Sequence, residues 1–427
     1  MPAESAAFTI SPGESPRLAA ILGKGTGAVK LLQTWTDEIV DDGVTLSRLS
    51  GEVRYADGFT ETVWFAFPAC IGGLSTSGNP WLAWMLPLAT TLGEPIQMGL
   101  PVDGQMRQSV GQLVEIWRSW YPHLHPVKIE APTLPLSSLP ETPKAFAFFT
   151  GGVDSFYTVL RKVRSVGGRP EGIDALVNMW GFDVKLEHPA DARRASSEMR
   201  LAASKLGLPL IEGRTNLRET RFKQADWGGL SHGGALAAVA LCLEGAFQQA
   251  AIGASFPLRG QMPLGTHPDT DALLGTSGFR LVHDGAEAGR AEKVEFIARH
   301  PVALEHLRCC FRERGHGGNC GRCLKCYRTM LTLHVVGALD RCRSFDVKRF
   351  DLRKARRMYS ATGIPQLLTE DLAELAQRLG DDDMVKTIEF SLRRSRRLAG
   401  WIRFLHAQGE SRWARTIRRR ILSGSPH

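Results

Sequence analysis

The sequence lacks a long hydrophobic run and a basic, apolar leader. Its longest apolar stretch, residues 235–243, is too short to span a bilayer. Residues 1–7 contain one acid and neither Lys nor Arg, unlike the basic start of a secretory signal. We therefore expect a cytoplasmic protein with no membrane-spanning segment.

Cysteine is scarce and unevenly placed. Eight cysteines occur in 427 residues, and five of them lie within residues 309–326. A secreted disulfide scaffold spreads its cysteines along a short chain, whereas clustering in a long chain favours a metal site. With 43% hydrophobic and 23% charged residues the composition is globular. The chain is longer than a single hydrophobic core usually supports, which predicts two or three domains.

The positive charge is concentrated at the C-terminal end. Residues 351–427 contain 16 Lys and Arg against 9 Asp and Glu, and so contribute +7 of the net charge of +9. Ten arginines between residues 393 and 420, interleaved with apolar residues at 398, 401, 402, 404 and 405, predict a basic amphipathic helix. Its basic face could bind nucleic acid or an acidic protein. We favour a solvated face, because the segment has neither aromatic stacking platforms nor a recognised binding fold.

Three regions are predicted. Residues 1–140 form an α+β N-terminal domain with a hairpin at 44–53 and 60–67, helices at 80–91 and 105–121, and a strand at 126–129. Glycines at 22–27 fit no nucleotide motif and indicate a flexible loop, and the proline-rich residues 131–143 form a linker. Residues 351–427 form a helical basic C-terminal extension.

Strands alternate with helices in the middle region, residues 144–346. After an apolar run at 146–149, strands are predicted at 173–179, 208–212 and 250–254, and helices at 192–206 and 232–249. Such alternation predicts an α/β fold with a parallel sheet, helices on both faces, and ligands at the carboxyl ends of the strands.

A glycine loop follows the first of these strands. Residues 150–155 read Thr-Gly-Gly-Val-Asp-Ser and open a helix. Paired glycines expose backbone N–H groups, and the positive end of the helix adds to them, so an anion such as pyrophosphate fits there. The loop lacks the Gly-Lys-Ser/Thr of a Walker loop. The alternative is an ordinary turn that Asp154 and Ser155 cap.

The clustered cysteines have the spacing of a metal site. Cys320, Cys323 and Cys326 lie at intervals of three, and Cys309 or Cys310 supplies a fourth thiolate. Zinc and an iron–sulfur cluster both accept four cysteines, so spacing alone does not choose between them. The alternative, free core cysteines, leaves the neighbouring glycines unexplained.

These motifs carry a resemblance to a known family. The loop Thr150–Ser155 resembles the PP-loop of the ATP pyrophosphatase (adenine nucleotide alpha hydrolase) superfamily, with Thr150 where Ser is usual. With the cysteine triplet and Arg328 two residues after it, the chain resembles the QueC family of 7-cyano-7-deazaguanine synthases. The similarity covers residues 144–346, about half of the chain, and fits best the longer QueC-like proteins.

The resemblance implies a PP-loop fold, ATP and Mg²⁺ as ligands, and a structural zinc. The implied zinc ligands are Cys310, Cys320, Cys323 and Cys326. The nucleotide would be bound by Thr150, Gly151, Gly152, Val153, Asp154 and Ser155. Asp154 would position Mg²⁺ and is, with Ser155, the implied catalytic residue.

The implied activity is that of an ATP-dependent ligase. It would adenylate a carboxylate or amide, for example of a 7-deazapurine, with release of pyrophosphate, and ammonia or another nucleophile would then displace AMP. The acid or amide could belong to a small molecule or be borne by a macromolecule.

Several polar residues are weaker candidates. Asp183, at the end of the second strand, could face the ribose or cap its loop. His267, Asp269 and Asp271 could bind Mg²⁺ or a purine-like base, or could be solvated loop residues. The remaining candidates, each with a solvated or purely structural alternative, are Arg259, Arg290 and Lys293 for phosphates, and Asn216, Arg218 and His232 for the cleft.

Two other functions compete with the ligase. One is a PP-loop tRNA sulfurtransferase, in which the basic tail holds tRNA and the cysteines carry iron–sulfur or persulfide chemistry. The other is a non-catalytic nucleotide-binding subunit of a bacterial defence or modification complex, with protein partners encoded nearby. The large N-terminal region favours this last possibility.

Overall fold

The computed structural model describes residues 27–163, 172–310, 318–360 and 363–407. Residues 22–26 of the predicted flexible loop and residues 408–420 of the predicted basic helix lie outside these ranges. Within them, no helix combines the length and the apolar character that crossing a bilayer requires.

Twelve strands are defined in the described part of the chain. They are β1 Val29–Asp41, β2 Val44–Arg54, β3 Thr60–Pro68, β4 Ile96–Met98, β5 Val102–Asp103, β6 Ile129–Glu130, β7 Thr133–Leu134, β8 Ala145–Phe148, β9 Ala175–Trp180, β10 Leu210–Thr215, β11 Gln249–Gly253 and β12 Arg280–Asp284. The α-helices are α1 Asn79–Leu92, α2 Gly104–Trp120, α3 Val153–Lys162, α4 Pro189–Leu206, α5 His232–Cys242, α6 Pro268–Asp271, α7 Arg290–Ile297, α8 Pro301–His306, α9 Leu324–Val335, α10 Ile364–Arg378 and α11 Asp382–Ala407.

Ten of these strands form one mostly parallel sheet. Its order is β12-β11-β8-β9-β10-β3-β2-β1-β4-β6, and β5 pairs with β7 separately. Strands β8 to β11 are parallel to one another, as the alternation of strands and helices predicted, and the unpredicted β12 is parallel to β11. Every residue of β8 is buried, because helices cover both faces of the sheet there. The prediction of an α/β fold is confirmed.

The N-terminal strands continue the same sheet. The predicted hairpin is present as β2 and β3, and its turn contains Gly58 at φ +85°. Strand β3 pairs antiparallel with β10, where Phe65 lies opposite Thr215. One apolar core contains residues from both sides of residue 140. The segments before and after that point therefore share one sheet and one core, a feature that the sequence pattern did not predict.

Asn216 holds this junction together. Its Oδ1 accepts a hydrogen bond from the N–H of Trp64 at 3.0 Å, and its Nδ2 donates to the carbonyl of Thr62 at 2.9 Å. Of the two possibilities for Asn216, these bonds support the structural one, because both ends of its amide are bonded to β3.

Two further apolar cores complete the architecture. On one face of the sheet, α1 and α5 belong to the core shared with the N-terminal strands. On the other, α3, α4, α7 and α9 enclose a second core that includes the clustered cysteines. A third core joins α9 to α10 and α11. The described part of the C-terminal region, up to residue 407, is largely helical, as predicted, and Arg393 and Arg396 form ion pairs with Glu389 and Glu370.

A close approach at Gly181 connects β9 to β10 at the carboxyl edge. Gly181 has φ +104°, and a Cβ there would lie 1.9 Å from the carbonyl oxygen of Thr215. We expect Gly181→Ala to lower the free energy of unfolding by about 2–4 kcal/mol, because rigid backbone must move. Gly207→Ala is the matched control, since Gly207 has φ +68° with no atom within 4 Å, and should cost only about 1 kcal/mol. Denaturant unfolding measures both, and equal losses would contradict the packing argument.

Candidate functional site

The glycine loop lies at the carboxyl end of β8 and leads directly into α3. Gly151 has φ +70°, a conformation that glycine adopts without strain, and its carbonyl accepts a hydrogen bond from the N–H of Arg308 at 2.7 Å. Gly152 is extended and precedes the first helical residue, Val153. The loop is held close to β11, since a Cβ on Gly253 would lie 3.0 Å from the backbone of Asp154.

The hydroxyl of Ser155 stabilises this loop from within. Its Oγ donates to the carbonyl of Gly152 at 3.0 Å and accepts from the N–H of Thr150 at 3.4 Å. The bond from the N–H of Phe156 to the carbonyl of Gly152 is the first of the helix, so the N–H groups of residues 153–155 precede it. These groups form the positive end of α3, where an anion is stabilised.

The carboxylate of Asp154 faces two cations of α7. Arg290 forms an ion pair with it, and the Nζ of Lys293 lies 3.7 Å from its Oδ1. Among the described residues this Oδ1 has no hydrogen-bond partner, although it is buried. Lys293 is only 1% exposed and donates to the carbonyl of Ala254 at 2.5 Å. Burial lowers the pKa of Lys293, and the negative charge of Asp154 partly opposes that effect.

Two more cations reach the same region from α9. Burial lowers the pKa of Lys325 to about 8; the charge of Arg290 adds to this effect, and the charges of Asp154 and Asp183 oppose it. Burial also lowers the pKa of Arg328 to about 10, and Arg290 again adds to the effect. Arg290, Lys293 and Lys325 therefore interact electrostatically with the carboxylate of Asp154, and Arg328 interacts with Arg290. This excess of positive charge suits a polyanion.

Sequence reasoning found only part of this cluster. Arg290 and Lys293 were among the predicted phosphate contacts, whereas Lys325 was missed and Arg328 was noted only as part of a motif. A lysine between two closely spaced cysteines was the available signal, because a metal site would fix its position.

Arg259 and Arg218 have structural partners instead. Arg259 pairs with Asp371 and Glu374 of α10 at 3.3 and 2.6 Å. The Nη1 of Arg218 donates to the carbonyl of Phe182 at 2.7 Å, and its guanidinium lies 4.3 Å from the ring centre of Trp227. Neither arginine contacts the glycine loop through these bonds.

The C-terminal helices reach the cation cluster through Asp371. Its Oδ2 accepts a hydrogen bond from the N–H of Ala291 at 2.6 Å, at the N-terminal end of α7. A Cβ on Gly289 would lie 2.0 Å from Asp371 Oδ1, so this approach requires glycine. Asp371 thus holds the helix that carries Arg290 and Lys293.

Asp183 follows β9 at the same edge of the sheet and is exposed. Its charge raises the pKa of Lys325 and of His232, against the larger lowering effect of burial on each. The structure therefore places Asp183 within electrostatic reach of the cation cluster and of His232.

Four cysteine thiols meet beside this cluster. The Sγ atoms of Cys310, Cys320, Cys323 and Cys326 all lie within 4.8 Å of one another, and all four residues are buried. The Sγ atoms of Cys310 and Cys323 are 3.9 Å apart, and those of Cys320 and Cys326 are 3.8 Å apart. Tetrahedral zinc at about 2.3 Å from each sulfur requires sulfurs about 3.8 Å apart. The four thiols fit such an ion.

Backbone N–H groups already point at the sulfurs. Cys320 Sγ accepts from the N–H of Arg322 at 3.4 Å and of Cys323 at 3.2 Å, and Cys323 Sγ accepts from Cys326 at 3.4 Å. Gly321, at φ +64°, permits this turn. Such bonds stabilise thiolates and orient them toward a metal.

Asn319 positions the first cysteines. Its Oδ1 accepts from the N–H groups of Cys309 and Cys310 at 2.8 and 3.2 Å, and its Nδ2 donates to the carbonyls of Leu307 and Ser344. Cys309 is a close neighbour, with its Sγ 3.9 Å from that of Cys326. The compact set of four nevertheless contains Cys310 and not Cys309, as the resemblance implied.

The loop that contains α6 is folded inward. Asp271 is 1% exposed, and its Oδ1 accepts from the N–H of His267 at 3.0 Å. The Nδ1 of His267, also buried, accepts from the N–H of Asp269 at 3.1 Å. The alternative that these are solvated loop residues is therefore wrong for His267 and Asp271. It is correct for Asp269, which is exposed.

Burial lowers the pKa of His267. Its folded pKa therefore lies below the unfolded value of about 6.5, and the unfolded chain takes up the proton first. We expect stability to fall as the pH drops from about 7.5 through 6.5 toward the folded pKa, by about 1.4 kcal/mol for each unit of lowering. Denaturant unfolding at pH 7.5 and 5.5 should show a smaller loss in a His267→Gln variant than in the wild type. An identical loss of stability in the variant and in the wild type would refute this prediction.

Comparison with protein-family models, with curated proteins and with solved structures finds no match to this chain.

Proposed function

We propose that this protein is an ATP-dependent ligase that forms an adenylate and releases pyrophosphate, of the PP-loop class and similar to the QueC family. The observation that carries the proposal is the positive end of α3, facing Arg290, Lys293 and Lys325 around a glycine loop. Helix N-termini and convergent cations are the groups that bind polyphosphates. The sequence Thr-Gly-Gly-Val-Asp-Ser supports the PP-loop assignment.

The reaction assigned to this site begins with attack of a substrate oxygen on the α-phosphorus of ATP. The bond to the β-phosphate breaks, and pyrophosphate leaves with the electron pair. The N–H groups of residues 151–155, Lys293 and Lys325 would bind the departing pyrophosphate, and such preorganised donors supply most of the rate enhancement in transfers of this kind.

Asp154 is the residue that would hold Mg²⁺, through the buried oxygen that has no partner among the described residues. The ion, when bound, neutralises charge on the phosphate oxygens. Arg290, now paired with Asp154, would then be shared with the phosphates.

The four cysteines would hold zinc in a structural role. Four protein sulfurs complete the tetrahedral shell and leave no open position for a substrate. Sulfurs within 4.8 Å of one another suit a single ion, since a multi-iron cluster would require them to lie farther apart. The ion would fix the start of α9, which carries Lys325 and Arg328 toward the nucleotide.

The product distribution tests the proposal. The full chain is incubated with Mg·ATP and a panel of acids and amides, beginning with a 7-deazaguanine 7-carboxylate and its amide. The proposal predicts AMP and pyrophosphate in equal amounts, dependent on the acid or amide. Formation of ADP and phosphate alone would overturn it.

Removal of the charge at residue 325 should weaken nucleotide binding. A charged hydrogen bond to phosphate contributes about 1.5–3 kcal/mol, so Lys325→Met should raise the Kd for Mg·ATP by about tenfold or more. Lys348→Met, at an exposed lysine, is the matched control and should bind as the wild type does. Calorimetric titration measures both, and unchanged affinity in Lys325→Met would remove this lysine from the site.

A further inference from the structure

A second polar cluster lies at the carboxyl edge of the sheet, outside the phosphate-binding groups. Its centre is Asp271, whose Oδ2 lies 2.8 Å from the Nδ1 of His283. The side chains of His283 and Asp271 are only 7% and 1% exposed. His283 belongs to β12, and no motif in the sequence pointed to it.

The carboxylate fixes the tautomer of this histidine. Asp271 is a hydrogen-bond acceptor, so the Nδ1 of a neutral His283 carries the proton and donates it to Oδ2. The Nε2 then has a free lone pair and can accept a proton. The other oxygen of Asp271 accepts from the N–H of His267, which holds the carboxylate in place. The arrangement is that of a carboxylate-oriented general base.

This lone pair has no partner in the part of the chain that the structure describes. The Nε2 atom of His283 is buried and lacks a hydrogen bond among the described residues. An unsatisfied buried polar atom destabilises the folded state, and folding alone does not require one here. A ligand with an N–H or O–H group would satisfy it.

The position of His283 relates it to the glycine loop. In the sheet register, His283 lies opposite Ile252 of β11. The next pair is Asp284 with Gly253, and Gly253 packs against the backbone of Asp154. His283 and Ile252 belong to the face that α5 covers, whereas α3 covers the other. Strand β12 is two strands away from β8, a distance of roughly 10 Å. The end of β12 therefore lies at the same carboxyl edge of the sheet as the glycine loop, two strands from it, with His283 on the face opposite α3.

We propose that His283, oriented by Asp271, is the general base for the second half-reaction of the proposed ligase. The substrate class that it would receive is an amine-type nucleophile, with ammonia as the simplest member. This inference rests on the proposed function and adds to it the group that removes the proton.

In the second half-reaction, the acyl group is transferred from AMP to the nitrogen. The nitrogen lone pair attacks the acyl carbon of the adenylate, and a C–N bond forms. The C–O bond to AMP breaks, and its electron pair leaves on the phosphate oxygen of AMP. One proton moves from the nitrogen to Nε2 of His283 and is released to solvent after AMP departs. Asp271 stabilises the imidazolium in the interval.

The test measures the two half-reactions separately in the full-length, metal-loaded protein. Exchange of labelled pyrophosphate into ATP, with a 7-deazaguanine 7-carboxylate as the acid, reports adenylate formation. Amide formation with ammonium chloride reports the second step. We expect His283→Gln to keep exchange within about threefold of wild type and to slow amide formation by about 100-fold or more, as loss of a general base does.

Asp271→Asn and His300→Gln complete the design. Asp271→Asn should slow amide formation, and in histidine-labelled protein nitrogen NMR should show a changed tautomer at His283. His300→Gln, at a histidine of the α7–α8 connection, should leave both rates unchanged. Wild-type NMR at neutral pH should show an unprotonated Nε2.

The outcomes separate the two claims. If His283→Gln forms amide at the wild-type rate, or slows exchange as much as amide formation, the assignment of His283 is overturned while the ligase stands. A protonated Nε2 in the neutral wild-type ring would also overturn the assignment. If the wild type shows neither exchange nor amide formation with any acid of the panel, the ligase fails, and this step fails with it.

Discussion

Replacement of Cys323 by Ser is expected to abolish stoichiometric metal binding. Its Sγ lies within the compact group of four thiols, and loss of one ligand leaves an incomplete shell in a buried site. We expect purified wild type to contain about one zinc per chain and the variant to contain essentially none. The variant should also melt lower by roughly 10 °C or more, since metal-binding energy is folding energy. Elemental analysis and thermal unfolding measure the two effects.

Two other cysteines provide matched controls. Cys70 is exposed and lies far along the chain from the cluster, and Cys309 is adjacent to Cys310 but outside the set of four. Cys70→Ser and Cys309→Ser should keep the metal. Zinc retained by Cys323→Ser would contradict the four-thiolate site. Iron with labile sulfide in anaerobically purified protein would contradict a zinc site and would favour sulfurtransferase chemistry.

Substitution of Asp154 by Asn should abolish formation of AMP and pyrophosphate. The amide keeps the size of the side chain but removes the charge that pairs with Arg290 and would hold Mg²⁺. Loss of one such electrostatic element costs about 100-fold or more in rate. We expect a fall of that size in acid-dependent AMP release, and a lower melting temperature, because Arg290 and the buried Lys293 lose their counter-charge. Chromatography of the nucleotides and thermal unfolding provide the two readings.

Asp191 supplies the control for this variant. It is likewise an acid in the first turn of a helix, α4, and is partly exposed. Asp191→Asn should retain wild-type turnover. Full AMP release by Asp154→Asn would instead favour a site in which this carboxylate has no chemical role, as in a non-catalytic nucleotide-binding subunit.

The parallel half of the sheet was predictable because its signals are local. Short apolar runs bounded by helices predict buried strands, and β8 to β11 follow that rule. Strand β12 was missed because it is only five residues long, is bounded by Arg280 and Asp284, and shows no apolar run. The thirteen-residue β1 was missed because polar residues occupy much of it.

The helix predicted over 232–249 ends at Cys242, followed by a turn before β11. A continuous apolar composition does not mark that boundary. The junction of β3 with β10 was also beyond prediction, since residues about 150 apart in the sequence form it.

The candidate site divides in the same way. The glycine loop and the cysteine triplet are contiguous motifs, so the local sequence indicates their chemistry. The contact of Asp154 with Arg290 joins residues 136 apart, and the Asp271–His283 pair depends on how α6 packs against β12. Only folding brings these groups together, so residue type alone left their roles open.

The most direct test of the central claim is a crystal structure of the full chain with Mg²⁺ and α,β-methylene-ATP, which lacks the cleavable bridge oxygen. The account predicts that the β- and γ-phosphates lie at the N-terminal end of α3, within hydrogen-bond distance of the N–H groups of residues 151–155 and of Lys293 or Lys325. A nucleotide bound elsewhere, or a glycine loop that stays empty at saturating analogue while the four cysteines hold their metal, would contradict it.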